Sequence, residues 1–252
     1  MKGEPGFRSK WVGYLSSMSI VIGSLLDGAK QATGNVAIID VFRAFTTAAV
    51  ALANRASCII MVGSIQDALM LKKAGVGQIC RSEVGGLAPM GFDHGNSPLE
   101  ISGIDFQGKT IIQRTSAGTQ GIVSAVQANR LYAASLVTAN ATAKALASGD
   151  ANPITIVAMG NKAMDRADED ELCALHMRNI LEGRCGNASA VRQIILASKE
   201  AARYGTPAYP HLPRGDLDIA LDIDRYDFAT RVTLEEGRPT ARLERGSPGI
   251  ST

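Results

Sequence analysis

Short apolar runs and helix-like runs alternate along the chain from residue 18 onward. The short runs predict strands at Ser19–Ile22, Val36–Ile39, Cys58–Val62, Gln78–Cys80, Thr110–Gln113, Leu131–Ala134 and Ile154–Met159. The segments between them predict helices at Arg43–Asn54, Ile65–Ala74, Thr119–Ala128, Thr142–Ala147, Asp168–Leu181 and Ala190–Arg203. This alternation indicates an α/β fold, with a largely parallel or mixed sheet that helices cover on both faces.

Two segments of the chain look related to each other. Residues 38–74 and residues 111–149 share the order strand, helix, strand, helix, and each contains the triplet Ala-Asn-Arg, at 53–55 and 128–130. We interpret this as an internal duplication, although chance similarity between alanine-rich sequences is the alternative. A duplication would place the strand end that carries Asp40 and Arg43 and the strand end that carries Thr115–Thr119 at equivalent positions of one sheet.

The two ends of the chain differ from the alternating region. Residues 1–17 precede the first predicted strand and are interpreted as a leader of doubtful structural role, which leaves residues 18–252 as a single α/β unit. Tyr204–Gly215 predicts a connection, and Tyr226–Leu243 predicts an antiparallel hairpin at the edge of the sheet. Gly246–Thr252 is expected to be a frayed tail.

Composition narrows the possible partners. The net charge of +2 gives no reason to expect nucleic acid or an anionic membrane as a partner. No run reaches the roughly 18 apolar residues of a membrane span. The four cysteines form no C-x-x-C pair, so we expect reduced thiols and a cytoplasmic location. A homodimer is among the expected assembly states.

The first candidate site follows the predicted strand Val36–Ile39. Asp40 ends this strand, and Arg43 opens the next helix. Open α/β sheets bind ligands at the carboxyl ends of their strands. A carboxylate there can hold a hard cation, and an arginine can grip a phosphate with two parallel hydrogen bonds. The alternative is a structural ion pair between Asp40 and Arg43 that closes the turn.

The second candidate site is the glycine-containing loop of residues 81–98. Its four glycines allow backbone amides to approach a ligand closely, and Glu83 lies where a strand leads into it. Asn96 and Ser97 precede Pro98 in the pattern of a helix start, where free amides can bind an anion. His94 is a candidate acid or base, or a hydrogen-bonding loop residue. A surface loop ending in a capped helix is the alternative.

Two further segments carry candidate residues. Arg114–Thr119 follows a strand and opens a helix, so its hydroxyls and glycine can cradle an anion or serve as an ordinary cap. Glu169 and Asp170 belong to an acidic cluster that opens a helix, and they are metal-ligand candidates or simple complements of the helix dipole. Residues 103–110 match a Walker A pattern, but Lys109 leads into a strand rather than a helix, so we reject a nucleotide site.

Together these motifs resemble the 2-phosphosulfolactate phosphatase family, from about Val36 to Leu181. The resemblance rests on an ordered set of motifs: Asp40-x-x-Arg43-Ala44, Glu83 before Gly85-Gly86, Gly91-Phe92-x-x-Gly95-Asn96-Ser97-Pro98, Thr115-x-x-Gly118-Thr119 and Glu169-Asp170-x-x-Cys173-Ala174. It implies an α/β, magnesium-dependent phosphomonoesterase. The implied substrate is a phosphorylated 2-hydroxy acid, with 2-phospho-3-sulfolactate, a coenzyme M precursor, as the named one.

The resemblance suggests roles for individual residues. Asp40, Arg43 and Glu83 are expected to be catalytic, with Mg²⁺ held by Asp40, Glu83, Glu169 and Asp170. The expected substrate-binding residues are His94, Gly95, Asn96, Ser97, Thr115, Ser116, Gly118 and Thr119. Phe45 and Ala117 depart from the family pattern. A phosphatase of another small organic phosphate and a non-enzymatic phosphometabolite-binding protein therefore stay open as alternatives.

Overall fold

The computed structural model describes residues 19–149 and 153–246, in which strands and helices alternate as predicted. The strands are β1 (Ile20–Ser24), β2 (Gly34–Ile39), β3 (Cys58–Met61), β4 (Ile79–Ser82), β5 (Thr110–Arg114), β6 (Ala128–Ala134), β7 (Ile154–Ala158), β8 (Phe228–Glu235) and β9 (Arg238–Arg245). The α-helices are α1 (Leu25–Gln31), α2 (Ala44–Ala53), α3 (Ile65–Lys73), α4 (Pro98–Ile101), α5 (Gly118–Ser124), α6 (Ala139–Leu146), α7 (Asp168–Leu181), α8 (Ala188–Leu196) and α9 (Arg214–Ala220). Short 3₁₀ helices lie at Leu136–Thr138 and Ala201–Arg203.

All nine strands of the described chain join one mixed sheet in the order β1-β7-β2-β6-β8-β9-β3-β5-β4. Parallel pairs occupy both ends of this order, and the antiparallel pairs are those made by β8 and β9. The α/β fold with a mixed sheet and a C-terminal hairpin is confirmed.

The predicted position of the hairpin at the sheet edge is wrong, because β8 and β9 lie in the middle of the sheet. The edge prediction took Pro239 as a sign of an unpaired strand, since proline cannot donate to a ladder. In the structure Pro239 pairs only with Leu234 of β8, and β9 contacts β3 through the next two residues, Thr240 and Ala241. The proline therefore lies just outside the ladder between β9 and β3.

The two related segments appear as β2-α2-β3-α3 and β5-α5-β6-α6. The first strand of each segment pairs in parallel with the second strand of the other, β2 with β6 and β5 with β3. Each strand pair adds a twist of roughly 20–25°. Five pairs separate β2 from β5, for which this general value corresponds to a total twist of roughly 100–125°. The carboxyl ends of β2 and β5 do converge, since Asp40 accepts a hydrogen bond from the Gly118 N–H.

Helix α2 lies at the centre of the larger core cluster. Nine of its ten residues, Ala44 to Leu52, are buried. The same cluster contains side chains of both halves of the sheet, such as Ile38 of β2 and Ile59 of β3. A helix that is buried on nearly every face is enclosed by protein, and the small alanine side chains let strands approach it closely. Burial of α2 fixes its N-terminus, and with it Asp40 and Arg43.

Several predicted boundaries are wrong. The helix predicted at Thr119–Ala128 ends at Ser124, because β6 begins at Ala128, where it pairs with β2. The helix predicted at Ala190–Arg203 is interrupted after α8, since the Ser198 hydroxyl accepts a hydrogen bond from the Ala201 N–H and starts a separate turn. Helices α1 and α9 were missed. The predicted leader at 1–17 and residues 247–252 of the predicted tail lie outside the described residues.

Two expectations from the sequence concern the whole chain: reduced cysteine thiols, and no apolar run as long as a membrane span. Three of the four free cysteines, Cys58, Cys80 and Cys173, are buried. Within the described ranges, no helix combines the length and the hydropathy that crossing a bilayer requires.

Candidate active site

A polar cavity of about 350 Å³ lies where the carboxyl ends of β2, β4, β5 and β7 meet. Each of these strands is followed by a residue that lines it: Asp40, Glu83, Ser116 and Gly160. The remaining lining residues are Phe42, Arg43, Gly85, Gly86, Asn96, Ala117, Asn161, Lys162, Glu200, Arg203, Tyr204, His211 and Leu212. Its size suits a small metabolite.

Asp40 connects the N-terminus of α2 to the N-terminus of α5. Its Oδ1 accepts a hydrogen bond from the Ala44 N–H at 3.0 Å, and its Oδ2 accepts one from the Gly118 N–H at 2.8 Å. Burial, with a further contribution from the nearby charge of Glu83, raises the pKa of Asp40 to about 6. The two predicted strand ends therefore meet, and this carboxyl can gain or lose a proton near neutral pH.

Glu83 connects the glycine loop to the turn after β5. Its Oε1 accepts a hydrogen bond from the Ser116 N–H at 2.9 Å, and its Oε2 accepts one from the Gly86 N–H at 3.1 Å. The carboxylate thereby fixes two loops on the cavity wall, beside Asp40.

Arg43 does not pair with Asp40, so the structural ion pair considered as an alternative is wrong in its partner. Its Nη1 lies 2.6 Å from Oδ2 of Asp216, on α9, and also donates to the His211 carbonyl at 3.0 Å. Its Nη2 donates to the Gly86 carbonyl at 3.3 Å. Both charged side chains are almost fully buried. The guanidinium therefore reaches the cavity from a fixed position.

The acidic pair that opens α7 lies beside the cavity rather than on its wall. Asp170 accepts hydrogen bonds from the Val41 N–H at 2.7 Å and the Gly160 N–H at 2.8 Å, and so joins the turns after β2 and β7. Burial raises its pKa well above the usual range of an aspartate. Glu169 is buried with Oε2 unpartnered, and burial raises its pKa to about 8. Both line a neighbouring depression.

The predicted substrate-binding residues divide into two groups. Asn96 and Ser116 line the cavity. The others form hydrogen bonds within the protein: His94 and Gly95 with Glu100, Ser97 with Asp216, Thr115 with Thr119, and Gly118 with Asp40. His94, Gly95 and Ser97 line an adjoining hollow that also reaches Arg43 and Asn96.

Sequence reasoning missed the part of the wall that comes from residues 160–162 and 200–212. These segments contribute Lys162, Glu200, Arg203, Tyr204 and His211. Lys162 and Ala163 have φ values of 53° and 57°, a left-handed conformation that non-glycine residues seldom adopt. Backbone outliers of this kind cluster at functional sites. The only sequence signal for Lys162 and Ala163 is a polar turn after the buried strand β7.

The carboxylates provide a partial fit to a divalent cation. Among the residues that the structure describes, no group of three or more His, Cys, Asp or Glu side chains is arranged to hold a metal. Mg²⁺ commonly uses one or two carboxylates together with substrate phosphate and water. Asp40 and Glu83 meet that requirement, because both line the cavity and the charge of Glu83 raises the pKa of Asp40. Asp170 does not line the cavity, although like Asp40 and Glu83 it accepts backbone hydrogen bonds with both carboxylate oxygens.

Comparison with known proteins identifies the family of the chain. The family model described as 2-phosphosulpholactate phosphatase matches residues 23–209, a range that contains most of the residues lining the cavity. The chain belongs to the 2-phosphosulpholactate phosphatase family. The expectation of a phosphoric monoester hydrolase of this family is therefore confirmed.

Two members of the family match over most of their length, and a third matches over less than half of its length. The chain is 32% identical to a protein of Thermotoga petrophila over 203 residues, which cover 81% of this chain and 87% of that one. It is 31% identical to a protein of Bacillus subtilis over 204 residues, which cover 81% and 89% of the two chains. A protein of Carboxydothermus hydrogenoformans is 47% identical over 108 residues, 43% of this chain and 44% of that one. All three are named "Probable 2-phosphosulfolactate phosphatase".

Proposed function

We propose that the protein hydrolyses the phosphate monoester of a small 2-hydroxy acid in a reaction that depends on Mg²⁺. The preferred substrate is 2-phospho-3-sulfolactate, which yields 3-sulfolactate and phosphate. One observation carries the proposal: Asp40, Glu83 and Arg43 line one small polar cavity at the convergent strand ends. This set combines hard anionic oxygens with a fixed cation, as phosphoryl transfer requires.

The residues of the chain would divide the work. Asp40 and Glu83 would hold the cation, which when bound supplies charge neutralisation to the phosphoryl oxygens. Arg43, fixed by Asp216, would direct its remaining N–H groups at the non-bridging oxygens, where charge develops in the transition state. Backbone hydrogen bonds hold Asp40 and Glu83 before substrate arrives, so little reorganisation is needed.

Lys162 supports a substrate with a second anionic group. The other cations on the cavity wall are already paired, Arg43 with Asp216 and Arg203 with Glu200. The lysines that form ion pairs within the described ranges are Lys30 and Lys72, so Lys162 is free to pair with a ligand. The carboxylate and sulfonate of phosphosulfolactate are groups of this kind.

A phosphate-release screen over small organic phosphates tests the proposal. We expect release from 2-phospho-3-sulfolactate, loss of release after chelation, and recovery on addition of Mg²⁺. Asp40→Asn should abolish release, whereas Asp222→Asn, which alters an exposed ion pair with Arg225, should not. Full activity of the wild-type protein in excess chelator would contradict the cation requirement. Phosphate binding without release from any ester would favour a non-enzymatic binding protein.

A phosphatase of a different small ester is the second candidate, and Ala117 is the observation that favours it. Ala117 lines the cavity where the family commonly has asparagine, so one donor and one acceptor are absent from the wall. Phe45, the other departure, is buried in the core and does not face the cavity. Lys162→Met should discriminate between substrates. It should raise KM at least about tenfold for phosphosulfolactate, but little for a phosphate ester without a second anion.

A further inference from the structure

Arg81 of β4 is the largest of the almost fully buried side chains, with 2% exposure. Its Nε and Nη1 have no hydrogen-bond partner, and it forms no ion pair in the described part of the chain. Burying a guanidinium without a carboxylate in contact is costly, and buried positive charge is retained mainly where it has a use. The family motifs used above to identify the site do not include this residue.

The one engaged nitrogen of Arg81 reaches the wall of the cavity. Its Nη2 donates to the Ala44 carbonyl at 3.0 Å and to Oδ1 of Asn96 at 3.2 Å. Gln113, the neighbour of Arg81 across the β4–β5 ladder, donates to the same carbonyl at 3.2 Å. The Arg81 guanidinium is thus anchored at the N-terminus of α2 and contacts one side chain of the cavity wall.

The contact with Arg81 determines which way the Asn96 amide points. A guanidinium carries donors and no acceptor, so the atom of Asn96 that faces it must be the carbonyl oxygen. The Asn96 backbone carbonyl is also held, because it accepts a hydrogen bond from the Thr47 hydroxyl at 3.2 Å. Asn96 lines the cavity together with Asp40 and Arg43, and no described protein group accepts from its Nδ2. The Nδ2 donors are therefore left for a ligand.

We propose that Arg81 is a positioning residue, which fixes the Asn96 amide with its two N–H donors toward the phosphate oxygens of the substrate. The inference rests on the proposed function of the cavity, and it adds a donor from Asn96 beside Arg43. It also gives Arg81 a role through Asn96 rather than through direct contact with substrate. Without Arg81, the amide can rotate and offer its oxygen to an anion, which repels it.

Binding of inorganic phosphate to the full chain, measured by calorimetry in the presence of Mg²⁺, tests the positioning role. Arg81→Gln and Asn96→Ala should each weaken phosphate binding about tenfold. The double variant should also be about tenfold weaker rather than about a hundredfold, because both single changes remove the same donors. KM for the ester should follow the same pattern, while kcat changes less.

Control variants separate positioning from structural loss. Arg130→Gln also removes an arginine that donates to backbone carbonyls, of Ala145 and Ser148, and it should leave phosphate binding unchanged. If Arg81→Gln does not fold, Arg81→Lys is measured in its place. Its ammonium can still donate to Asn96, so it should keep phosphate affinity within about threefold.

Three results would overturn the inference. These are unchanged phosphate binding in Arg81→Gln, a hundredfold loss in the double variant, or a wild-type protein that does not bind phosphate. Where Arg81→Lys is measured instead, a loss of phosphate affinity in the folded variant as large as that in Asn96→Ala is a fourth result that overturns it. A wild-type protein that binds phosphate but hydrolyses no ester would refute the proposed function alone. Phosphate binding by the two single variants and the double variant could still be compared in that case.

Discussion

Burial and neighbouring charges shift the pKa values of individual carboxyl groups around the cavity. The pKa of Asp40 is raised to about 6 and that of Glu169 to about 8, mainly because burial disfavours the charged form. The charge of Asp40 contributes to the upward shifts of both Glu169 and Asp170. Accumulated negative charge of this kind favours a cationic ligand, and it makes the stability of the fold depend on pH.

Glu169→Gln should remove part of the pH dependence of the stability of the fold. Between pH about 4.5 and about 8 the folded protein keeps the Glu169 proton that the unfolded chain loses, so stability falls as pH rises. Relative to wild type, the variant should therefore become more stable as pH increases across this window. Thermal unfolding at a series of pH values measures the effect. Glu171→Gln is a control, because the Glu171 pKa is lowered and its contribution is lost only in acid.

Arg43→Lys should lower turnover by roughly two orders of magnitude or more, the usual effect of losing one preorganised donor. A lysine cannot reproduce the contacts of one planar group with Asp216, Gly86 and His211. Because the ion pair between Arg43 and Asp216 is buried, the melting temperature of the variant should fall as well. Phosphate release and thermal unfolding are measured on one preparation, with Arg225→Lys, an exposed pair, as control. Unimpaired turnover would remove Arg43 from the site.

At the scale of elements, the cavity depends on how closely the first turn of α5 approaches Asp40. A Cβ atom at Gly118 would lie 2.9 Å from Oδ2 of Asp40 and 2.9 Å from Cζ of Phe45. Both contacts are shorter than real Cβ atoms make. Glycine at this helix start therefore allows the backbone N–H to reach the carboxylate. The sequence suggested an anion cradle here, and in the structure the amide binds a side chain of the protein itself.

Gly118→Ala should consequently reduce both activity and stability. Replacing glycine by alanine in a helix normally stabilises it by about 0.5–1 kcal/mol, so a loss would show that the close approach dominates. Gly103→Ala, where nothing lies within 4 Å of the added atom, is the matched control. Phosphate release and denaturant unfolding are compared for both variants. A Gly118→Ala protein with wild-type turnover would show that Asp40 tolerates displacement.

At the scale of the whole molecule, the C-terminal hairpin joins the two halves of the sheet. Strand β8 pairs with β6 on one side, and β9 pairs with β3 on the other. Ala241, which is fully buried, is paired with Val232 of β8 and with Ile59 of β3. The last described strands are thus required for the central part of the fold, although the cavity residues all precede them in the chain.

Ala241→Asp should therefore destabilise the whole protein by several kcal/mol, because it buries a charge at the junction of the two halves. Leu234→Asp changes a residue of the same hairpin that is 75% exposed, and it should be nearly neutral. Thermal unfolding of both variants measures the difference. Equal melting temperatures would mean that the hairpin is dispensable to the core, as an edge position would allow.

The sequence by itself determined the features that depend on local pattern. Apolar runs predicted the strands, and Ser97 with Pro98 predicted the start of α4. Strand ends and helix starts identified Asp40, Arg43, Glu83, Asn96 and Ser116, which line one cavity. The strand–helix–strand–helix order predicted for residues 38–74 and 111–149 is also present in the structure, while a common origin of the two segments stays a prediction. Such features follow from the chain because periodicity and capping act over a few residues.

Only the tertiary structure decided which distant residues meet. Asp216 becomes the partner of Arg43 although 173 positions separate them, and Arg81 reaches Asn96 across a loop. Lys162, Arg203 and His211 complete the cavity wall from segments without a recognisable motif. The hairpin lies in the centre of the sheet because β8 pairs with β6 and β9 pairs with β3. These outcomes depend on long-range pairing and burial, which local pattern does not encode.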